Sequence, residues 1–302
     1  MSSWDAALDA AGVRGGQLRA DFTRQRRVVA RYRFAQYAAV RLLLPGAVVP
    51  HVVAATAFMH HTDHLLDQGG SLEERSAAYE WWVKQVGEAL VTGRSEHGVL
   101  RAMSHTCGMY PQLAGHIEEF LEGAAGELDF AGFGTEEDYQ RYVEAYSLPA
   151  FMVVAHVLAP AADAVGYRKA CRSFIDGSQR LDFVNDLAED LQVGRLNIPR
   201  SVLDRHGVGR GDLVAGRQLA GAGDLIGREL DEACICLGAG RAMVGYLPVA
   251  HRALGRALIG MEEATAEAAR AKGAGLLVSS ARPAAFRALG LLAREYRRRG
   301  RG

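Results

Sequence analysis

Apolar residues along this chain recur at the spacing of helical faces, and no segment shows a sustained alternation of apolar and polar positions. Alanine, leucine, arginine and glutamate, which favour helices, dominate the sequence. Ser71 with Glu74, and Thr135 with Asp138, have the spacing of capping boxes and predict two helix starts. Other helix ends are predicted by prolines, at Pro45, Pro50, Pro111, Pro160 and Pro199. Pro149 lies inside an apolar run and predicts a kink.

The two most apolar parts of the chain are Leu42–Met59 and Leu148–Val165. Both contain proline and histidine, so we expect buried core helices rather than membrane spans, with at most peripheral membrane contact. Glycine-rich pieces at 207–223 and 237–240 are interpreted as connections between helices.

Nothing in the sequence divides the chain into parts, since no segment is long or polar enough to be a linker and no repeat appears. The pattern therefore predicts a single all-α domain over residues 1–302. We expect about ten helices packed around one central helix at about 163–192. The basic residues 297–302 are expected to form a disordered, solvated tail.

Charge and cysteine content exclude several classes of protein. The 35 basic and 35 acidic residues balance, which argues against a nucleic-acid partner. The four cysteines include no CxxC pair, and they favour a reducing cytoplasm over a disulfide framework. The segment 1–12 carries acids and no apolar core, so we expect no signal peptide and a cytoplasmic protein.

The most informative segment is 179–199, which carries Asp182, Asp186 and Asp190 at intervals of four residues. In a helix, each such step turns about 40° past a full circle, so the three carboxylates form one acidic stripe. The surrounding residues are mostly apolar, which argues against a solvated helix face. Arg180 is one of the few residues that we expect on the solvent-exposed side of this helix.

A second acidic pair, Asp63 and Asp67, has the same spacing far upstream. Aligned carboxylates repel one another unless a cation lies among them, and hard divalent ions prefer oxygen ligands. Two such faces opposed across a helical bundle therefore predict a site for Mg²⁺ and a diphosphate.

The segment 179–199 resembles the second motif of the squalene/phytoene synthase family, whose enzymes join two prenyl diphosphates head to head. The matching residues are Gln179, Asp182, Asp186, Glu189, Asp190, Gly194, Arg195 and Pro199. Asp63 and Asp67 stand where the family has its first acidic motif, at the family's spacing after the LLLP segment 42–45. The resemblance runs from about Tyr37 to His206.

The resemblance implies an all-α isoprenoid-synthase-type bundle with a central active-site cavity. It also implies the catalytic and Mg²⁺-binding residues, Asp63, Asp67, Asp182, Asp186 and Asp190. The metal would neutralise the charge that grows on the leaving diphosphate. The allyl cation left behind needs a water-poor pocket. Aromatic candidates for the wall of that pocket are Tyr37, Phe58, Phe151 and Phe183.

The chain departs from the family at positions that normally contact phosphate. His64 replaces one of two adjacent acids, His60 and Asn185 stand where arginines are usual, and Asn197 replaces a tyrosine. The bulkier segment 146–151 stands where small residues line long prenyl tunnels. Lost arginines are lost bidentate phosphate donors. We therefore expect one diphosphate site, beside a pocket for an uncharged molecule.

These departures favour a Mg²⁺-dependent prenyltransferase that uses one allylic diphosphate, dimethylallyl or longer, and an aromatic acceptor. The pattern is compatible with the squalene-synthase-like branch that prenylates carbazoles and their quinones in secondary metabolism. One alternative is head-to-head condensation of two prenyl diphosphates, or cyclisation of one. Another is an inactive family member that serves as a partner subunit, against which the five aspartates argue.

Six further residues are expected to contact substrate, namely Tyr37, His60, His64, Gln179, Asn185 and Arg195. Arg195 follows the acidic helix, where an arginine either binds phosphate or closes the helix end in an ion pair. His60 and His64 also suggest zinc, but no third nitrogen or sulfur ligand is in register. Arg33 and Arg41 are candidates to replace the missing arginines, with a solvated role as the alternative.

Overall fold

The computed structural model of the protein describes residues 3–67, 70–215 and 220–299. Seventeen α-helices are present in this part of the chain: α1 (Trp4–Ala10), α2 (Gly16–Tyr32), α3 (Phe34–Leu43), α4 (Val49–Asp67), α5 (Leu72–Thr92), α6 (Gly98–Met109), α7 (Leu113–Ala124), α8 (Glu136–Tyr142), α9 (Leu148–Leu158), α10 (Ala164–Asn185), α11 (Leu187–Gln192), α12 (Arg200–Arg205), α13 (Arg210–Val214), α14 (Ala220–Gly240), α15 (Met243–Tyr246), α16 (Arg252–Lys272) and α17 (Ala285–Arg299). Short 3₁₀ segments lie at Ala125–Glu127, Val249–His251 and Gly273–Leu277. The described residues contain no strand, which confirms the all-α fold class.

Local sequence signals account for several helix ends. Ser71 and Glu74 form a reciprocal capping box at the start of α5, and Thr135 and Asp138 form one at the start of α8, as predicted. Pro149 lies in the first turn of α9, where a missing backbone N–H is tolerated. The preceding residues, Val143–Ser147, form a π-helical turn rather than a simple kink.

The central helix is interrupted where a single helix was expected. α10 ends at Asn185, Asp186 adopts φ −94° and ψ 13°, and α11 begins at Leu187. The backbone N–H of Asp186 still donates to Asp182 O at 2.8 Å, and that of Asp190 donates to Asp186 O at 2.9 Å. The one-turn spacing of the three aspartates therefore survives the interruption.

α10 packs closely against α14 because glycines allow the two backbones to approach. A Cβ on Gly177 would lie 2.7 Å from Ala233 O, and one on Gly240 would lie 2.6 Å from the Cα of Phe174. The interpretation of 237–240 as a connection is therefore wrong. These residues form the last turn of α14, and Gly240 is needed there for close packing.

A buried ion network also fixes α10. Arg180 is 5% exposed, so its placement on a wet face was wrong. Its Nη1 donates to Glu229 Oε2 at 2.7 Å on α14, and its Nη2 pairs with Glu136 on α8. The guanidinium also lies over the ring of Tyr139, 4.3 Å from its centroid. Charges removed from water need such partners, and the network holds the aspartate-bearing helix in place.

The end of the chain differs from the expected tail. Residues 297–299 are the last turn of α17, in which Arg298 pairs with the buried carboxylate of Glu295 at 3.1 Å. Arg299 donates to Leu42 O at 3.0 Å. The expectation of disorder is therefore wrong for 297–299, and residues 300–302 lie outside the described residues. None of the helices described here combines the length and apolarity required to cross a lipid bilayer.

Candidate active site

The two acidic groups line the same cavity. Asp63 and Asp67 lie on the last turns of α4, and Asp182, Asp186 and Asp190 lie along α10 and α11. All five border a cavity of about 220 Å³ between these helices. The structure thus brings together residues more than a hundred positions apart in sequence. Their role as metal ligands remains a prediction.

Burial makes the charged forms of these carboxylates costly. It raises the pKa of Asp63 to about 6, although Tyr146 donates its hydroxyl to Asp63 Oδ1 at 3.0 Å and so acts in the opposite direction. Burial, reinforced by the charge of Asp182, raises the pKa of Asp186 to about 6. Burial also raises the pKa values of Asp182 and Asp190. The cavity therefore holds more negative charge than its own cations compensate.

The donor set fits a hard divalent cation. The five aspartates offer only carboxylate oxygens, which Mg²⁺ prefers. In the three described stretches, no group of three His, Cys, Asp or Glu side chains converges tightly enough to hold an ion unaided. Mg²⁺ in phosphate-transfer sites usually takes one or two carboxylates and completes its shell with water and substrate phosphate. A spread-out set of carboxylates suits that mode of binding and does not suit a closed zinc site.

The loop after α11 crosses the mouth of the cavity. Gly194 turns it with φ +79°, a conformation that favours glycine. Arg195 then donates from Nη2 to Asp67 Oδ1 at 2.9 Å, and Asn197 donates from Nδ2 to Asp190 Oδ2 at 2.7 Å. Arg195 therefore bridges the acidic pair of α4 and the end of the acidic stripe, rather than only closing its own helix.

Four further residues line the cavity that the sequence did not indicate, namely Tyr32, Leu66, Glu127 and Tyr142, and Tyr146 from the segment 146–151 lines it as well. Burial raises the pKa of Glu127 to about 7, although Arg195 acts against this. Tyr142 immediately precedes the π-helical turn 143–147 and Tyr146 lies within it, and such turns are often found at functional sites. Their spacing of four residues was a usable signal, whereas Glu127 belongs to no motif.

The predicted substrate-contact residues divide into two groups. Gln179 lines the acidic cavity and accepts from Ser147 Oγ at 3.2 Å. Asn185 is buried beside it, where it donates to Asp186 Oδ1 at 3.1 Å and accepts from the backbone N–H of Ala281 at 2.9 Å. Asn185 is thus placed to position an aspartate rather than to touch substrate.

Tyr37, His60 and His64 do not line the acidic cavity. Tyr37 packs against the hydrophobic core. The two histidines line a different cavity on the α2 side of α4, because their side of the helix is turned about 60–100° away from Asp63. These three residues therefore lie outside the acidic cavity, and their contact with substrate stays a prediction.

The proposed aromatic wall is only partly present at the cavity. Phe183 borders it. Phe58 is fully buried against Trp82 and Phe120, and Phe151 packs on Phe174 with ring centroids 5.2 Å apart. Tyr142 and Tyr146, with ring centroids 5.3 Å apart, supply the aromatic surface that Phe58 and Phe151 do not.

Arg33 and Arg41 are the candidates to replace the missing arginines, and Arg33 interacts electrostatically with the acidic groups. Burial disfavours the charged form of Arg33, but the charges of Tyr32, Asp182 and Glu262 outweigh this and raise its pKa. Arg41 instead lies over the ring of Trp4, 5.8 Å from its centroid. Arg33 is therefore the better candidate for a cation that meets phosphate.

A sequence model described as squalene/phytoene synthase matches residues 31–288 of this chain. A Streptomyces coelicolor protein described as bifunctional protein CrtB/UppS is 28% identical over 178 residues, which is 58% of this chain. The match spans 31% of the length of that protein.

Two solved structures share the fold. One is a dehydrosqualene synthase in complex with a ligand, with a TM-score of 0.84, 17% identity, and coverage of 94% of this chain and 98% of that chain. The other is squalene synthase HpnC from Alicyclobacillus acidocaldarius, with a TM-score of 0.72, 21% identity, and coverage of 89% and 96%. At these identities the likeness concerns the fold alone.

Proposed function

This chain belongs to the squalene/phytoene synthase family, and from that premise we propose that it ionises an allylic prenyl diphosphate in the acidic cavity and transfers the prenyl group. The observation that carries the proposal is that Asp63 and Asp67 border the same cavity as the acidic stripe of α10 and α11. Enzymes of this family transfer prenyl groups, and the proposal gives this chain a site for that chemistry.

The aspartates would hold Mg²⁺ together with the diphosphate. When bound, the metal supplies Lewis acidity that stabilises charge on the leaving diphosphate oxygens. Arg195 is placed to donate hydrogen bonds to the same oxygens once its pairing with Asp67 is exchanged for phosphate. Arg33 adds positive charge near Asp182. Carbon–oxygen cleavage leaves both bonding electrons on the diphosphate and an allyl cation on the prenyl group.

The cavity wall would shield that cation from water. Tyr142, Tyr146 and Phe183 present aromatic surface, and ring faces stabilise a nearby positive charge. Burial raises the pKa of Tyr142 and of Tyr146 far above their usual value, so both stay neutral and do not act as nucleophiles.

We further propose that the second substrate is neutral and aromatic. Among the described residues that line the acidic cavity, Arg195 is the one arginine, and it already faces a carboxylate. A second diphosphate would need several more cations. An electron-rich ring needs none. Its π electrons form the new carbon–carbon bond to the allyl cation, and the ring then releases a proton to the diphosphate that the cleavage left behind.

Head-to-head condensation of two prenyl diphosphates is the second candidate. The family relationship favours it, since the similar solved structures are named as squalene and dehydrosqualene synthases. It requires cations beyond Arg195, which is the one arginine among the described residues that line the acidic cavity.

Pyrophosphate release separates the two candidates. The protein is incubated with Mg²⁺ and dimethylallyl, geranyl or farnesyl diphosphate, with and without carbazole. Release that requires carbazole and yields a prenylated ring supports aromatic transfer. Release from a prenyl diphosphate alone, with a hydrocarbon or cyclopropyl product, supports condensation and rejects the aromatic acceptor.

A further inference from the structure

A second, larger cavity lies on the other side of α4 from the acidic one. It measures about 430 Å³ and lies between α2, α4 and the start of α6. Its wall carries four imidazole rings, from His60, His61, His64 and His97. We call it the histidine cavity. Much of its opposite wall belongs to α2, which precedes the matched residues 31–288 almost entirely, so the family relationship does not account for it.

The histidine wall is held rigidly by a buried tryptophan. Trp82 is fully buried, and its Nε1 donates to Thr62 Oγ1 at 3.0 Å. The rings of His61 and His97 contact it with centroids 4.5 and 5.2 Å away, and they lie 4.9 Å from each other. The three rings are inclined to one another by 40–79°, and Trp82 supports the two imidazole rings that line the cavity, against which an aromatic ligand can pack edge or face.

Two buried polar atoms at this wall have no hydrogen-bond partner among the described residues. Gln25 is 3% exposed, and its Nε2 donates to Gly98 O at 2.9 Å. The carbonyl of Gly98 can accept a hydrogen bond from Nε2 but not from Oε1, so this bond fixes the orientation of the Gln25 amide group. Oε1 has no hydrogen-bond partner among the described residues. An unpaired buried acceptor costs about 1–3 kcal/mol, which a ligand N–H or O–H would relieve.

His97 provides the second unpaired atom, since its Nδ1 is buried without a partner in the described stretches. Burial, with the nearby charge of Arg101, lowers the pKa of His97 and keeps the ring neutral near pH 7. A neutral imidazole offers one donor and one acceptor. The charged residues of the wall balance in sign, as Asp21 and Glu96 against Arg24 and Arg101, and Arg101 is already paired with Asp21 at 2.7 Å, so the cavity suits a neutral ligand better than a diphosphate.

One stacked pair of rings links the walls of the two cavities beside α4. The rings of Tyr32 and His60 are 4.0 Å apart and inclined by 23°. Tyr32 borders the acidic cavity and His60 borders the histidine cavity. Tyr32 is 51% exposed, so its ring can swing toward solvent without disturbing the core. Movement of this one ring would join the place where an allyl cation forms to the place where a neutral ring lies.

We infer that the histidine cavity binds the acceptor, a neutral planar aromatic molecule that carries an N–H or O–H group. The inference rests on the proposed transfer to an aromatic ring and adds the site and the chemistry of that second substrate. The volume suits a molecule of two or three fused rings, since ligand pockets of this size bury most of a small ligand.

Carbazole and N-methylcarbazole are matched probes, because they differ in the N–H group. Their binding is measured by ligand fluorescence on the full chain without diphosphate. Carbazole should bind, and N-methylcarbazole should bind at least about tenfold more weakly. Carbazole that does not bind, or that binds no better than its N-methyl form, overturns the inference.

Val28 tests the location. It lines the histidine cavity and is 41% exposed, so substitutions there should not unfold the protein. Val28→Trp should fill the cavity and weaken carbazole binding at least about tenfold, whereas Val28→Ala should change it by less than about threefold. Unchanged affinity in Val28→Trp, or competitive displacement of carbazole by Mg²⁺ with dimethylallyl thiodiphosphate, would place the ring in the acidic cavity instead.

Turnover distinguishes this inference from the proposed function. Carbazole that binds in the histidine cavity but is never prenylated rejects aromatic transfer and leaves the cavity assignment intact. Prenylation of carbazole that Val28→Trp does not slow rejects the assignment and leaves the transfer intact.

Discussion

Tyr146 donates its hydroxyl to Asp63 Oδ1 at 3.0 Å, and this bond joins the π-helical turn before α9 to the acidic end of α4. The tyrosine stays protonated, because burial raises its pKa well above the usual value. The hydrogen bond stabilises the Asp63 carboxylate against the burial that raises its pKa to about 6. The ionised form that a metal requires therefore depends on a residue from another helix.

Tyr146→Phe should move the acidic limb of the pH–rate profile to higher pH. Removing the donor raises the pKa of Asp63 further, so a smaller fraction of the carboxylate is ionised at any given pH near neutrality. The pH dependence of turnover at limiting Mg²⁺ measures this shift. An unchanged acidic limb would show that the ionisation of Asp63 does not govern activity.

The metal-free protein should lose stability as pH rises from about 4 to about 7. The pKa values of Asp63 and Asp186 are about 6 and that of Glu127 is about 7, all above the ordinary 3.8 and 4.5. A group with a raised folded-state pKa contributes stability that is fully present below the unfolded pKa and is lost as pH rises through the folded value. Thermal unfolding in EDTA at pH 5 and at pH 7.5 measures the loss.

The variant that combines Asp63→Asn with Asp186→Asn provides the control for that measurement. At pH 7.5 in EDTA it should unfold at a higher temperature than the unmodified chain, because the two buried negative charges are absent. The increase should be roughly 2–4 °C for each kcal/mol gained in the free energy of unfolding. The difference should be smaller at pH 5 and should nearly vanish below about pH 4, where the carboxyl groups are protonated in both the folded and the unfolded chain. Equal unfolding temperatures at pH 7.5 would mean that these carboxylates do not repel one another in the folded protein.

Asp186→Asn should reduce turnover by about 10³-fold while the protein stays folded. The amide keeps the size of the side chain but loses the charge that holds a cation. Asp231→Asn is the matched control, because Asp231 is exposed on α14, pairs with Arg270 at 2.6 Å and does not line the acidic cavity. A variant at Asp186 that keeps most of its turnover would remove this residue from the metal site.

Arg33→Gln should raise the KM for the prenyl diphosphate by about tenfold, since one charge-assisted contact is lost. Its effect on unfolding should be small, because Arg33 lies at the junction of α2 and α3 rather than in the core. Arg41→Gln changes the same residue type on α3 and should leave the KM unchanged, since Arg41 lies over Trp4. Equal effects of the two variants would contradict the assignment of Arg33.

Periodicity was enough to predict the helical fold and the two acidic groups. Asp182, Asp186 and Asp190 share a face because residues four apart lie on one side of a helix, and the backbone keeps that spacing through the break at Asp186. The break itself was not predictable, since it depends on how Asn185 bonds to the chain near Ala281.

The rest of the candidate site depends on tertiary packing. Glu127 reaches the cavity from a 3₁₀ turn that has no motif. His60 and His64 share a helix with Asp63, but α2 packs against their side and turns it into a separate cavity. The sequence suggests that Gly240 is a turn residue, whereas the structure shows that it allows close helix packing. A Cβ there would clash with the backbone of Phe174 on α10, and the sequence alone does not reveal that contact.

Binding of an unreactive substrate analogue tests the central claim most directly. Dimethylallyl thiodiphosphate is titrated calorimetrically into the unmodified chain and into Asp63→Asn and Asp186→Asn, each with Mg²⁺ and with EDTA. Binding should require Mg²⁺ and should be lost in both variants, because the two acidic groups border one cavity and act together. Binding that persists in EDTA, or that either variant leaves unchanged, would contradict a shared magnesium–diphosphate site.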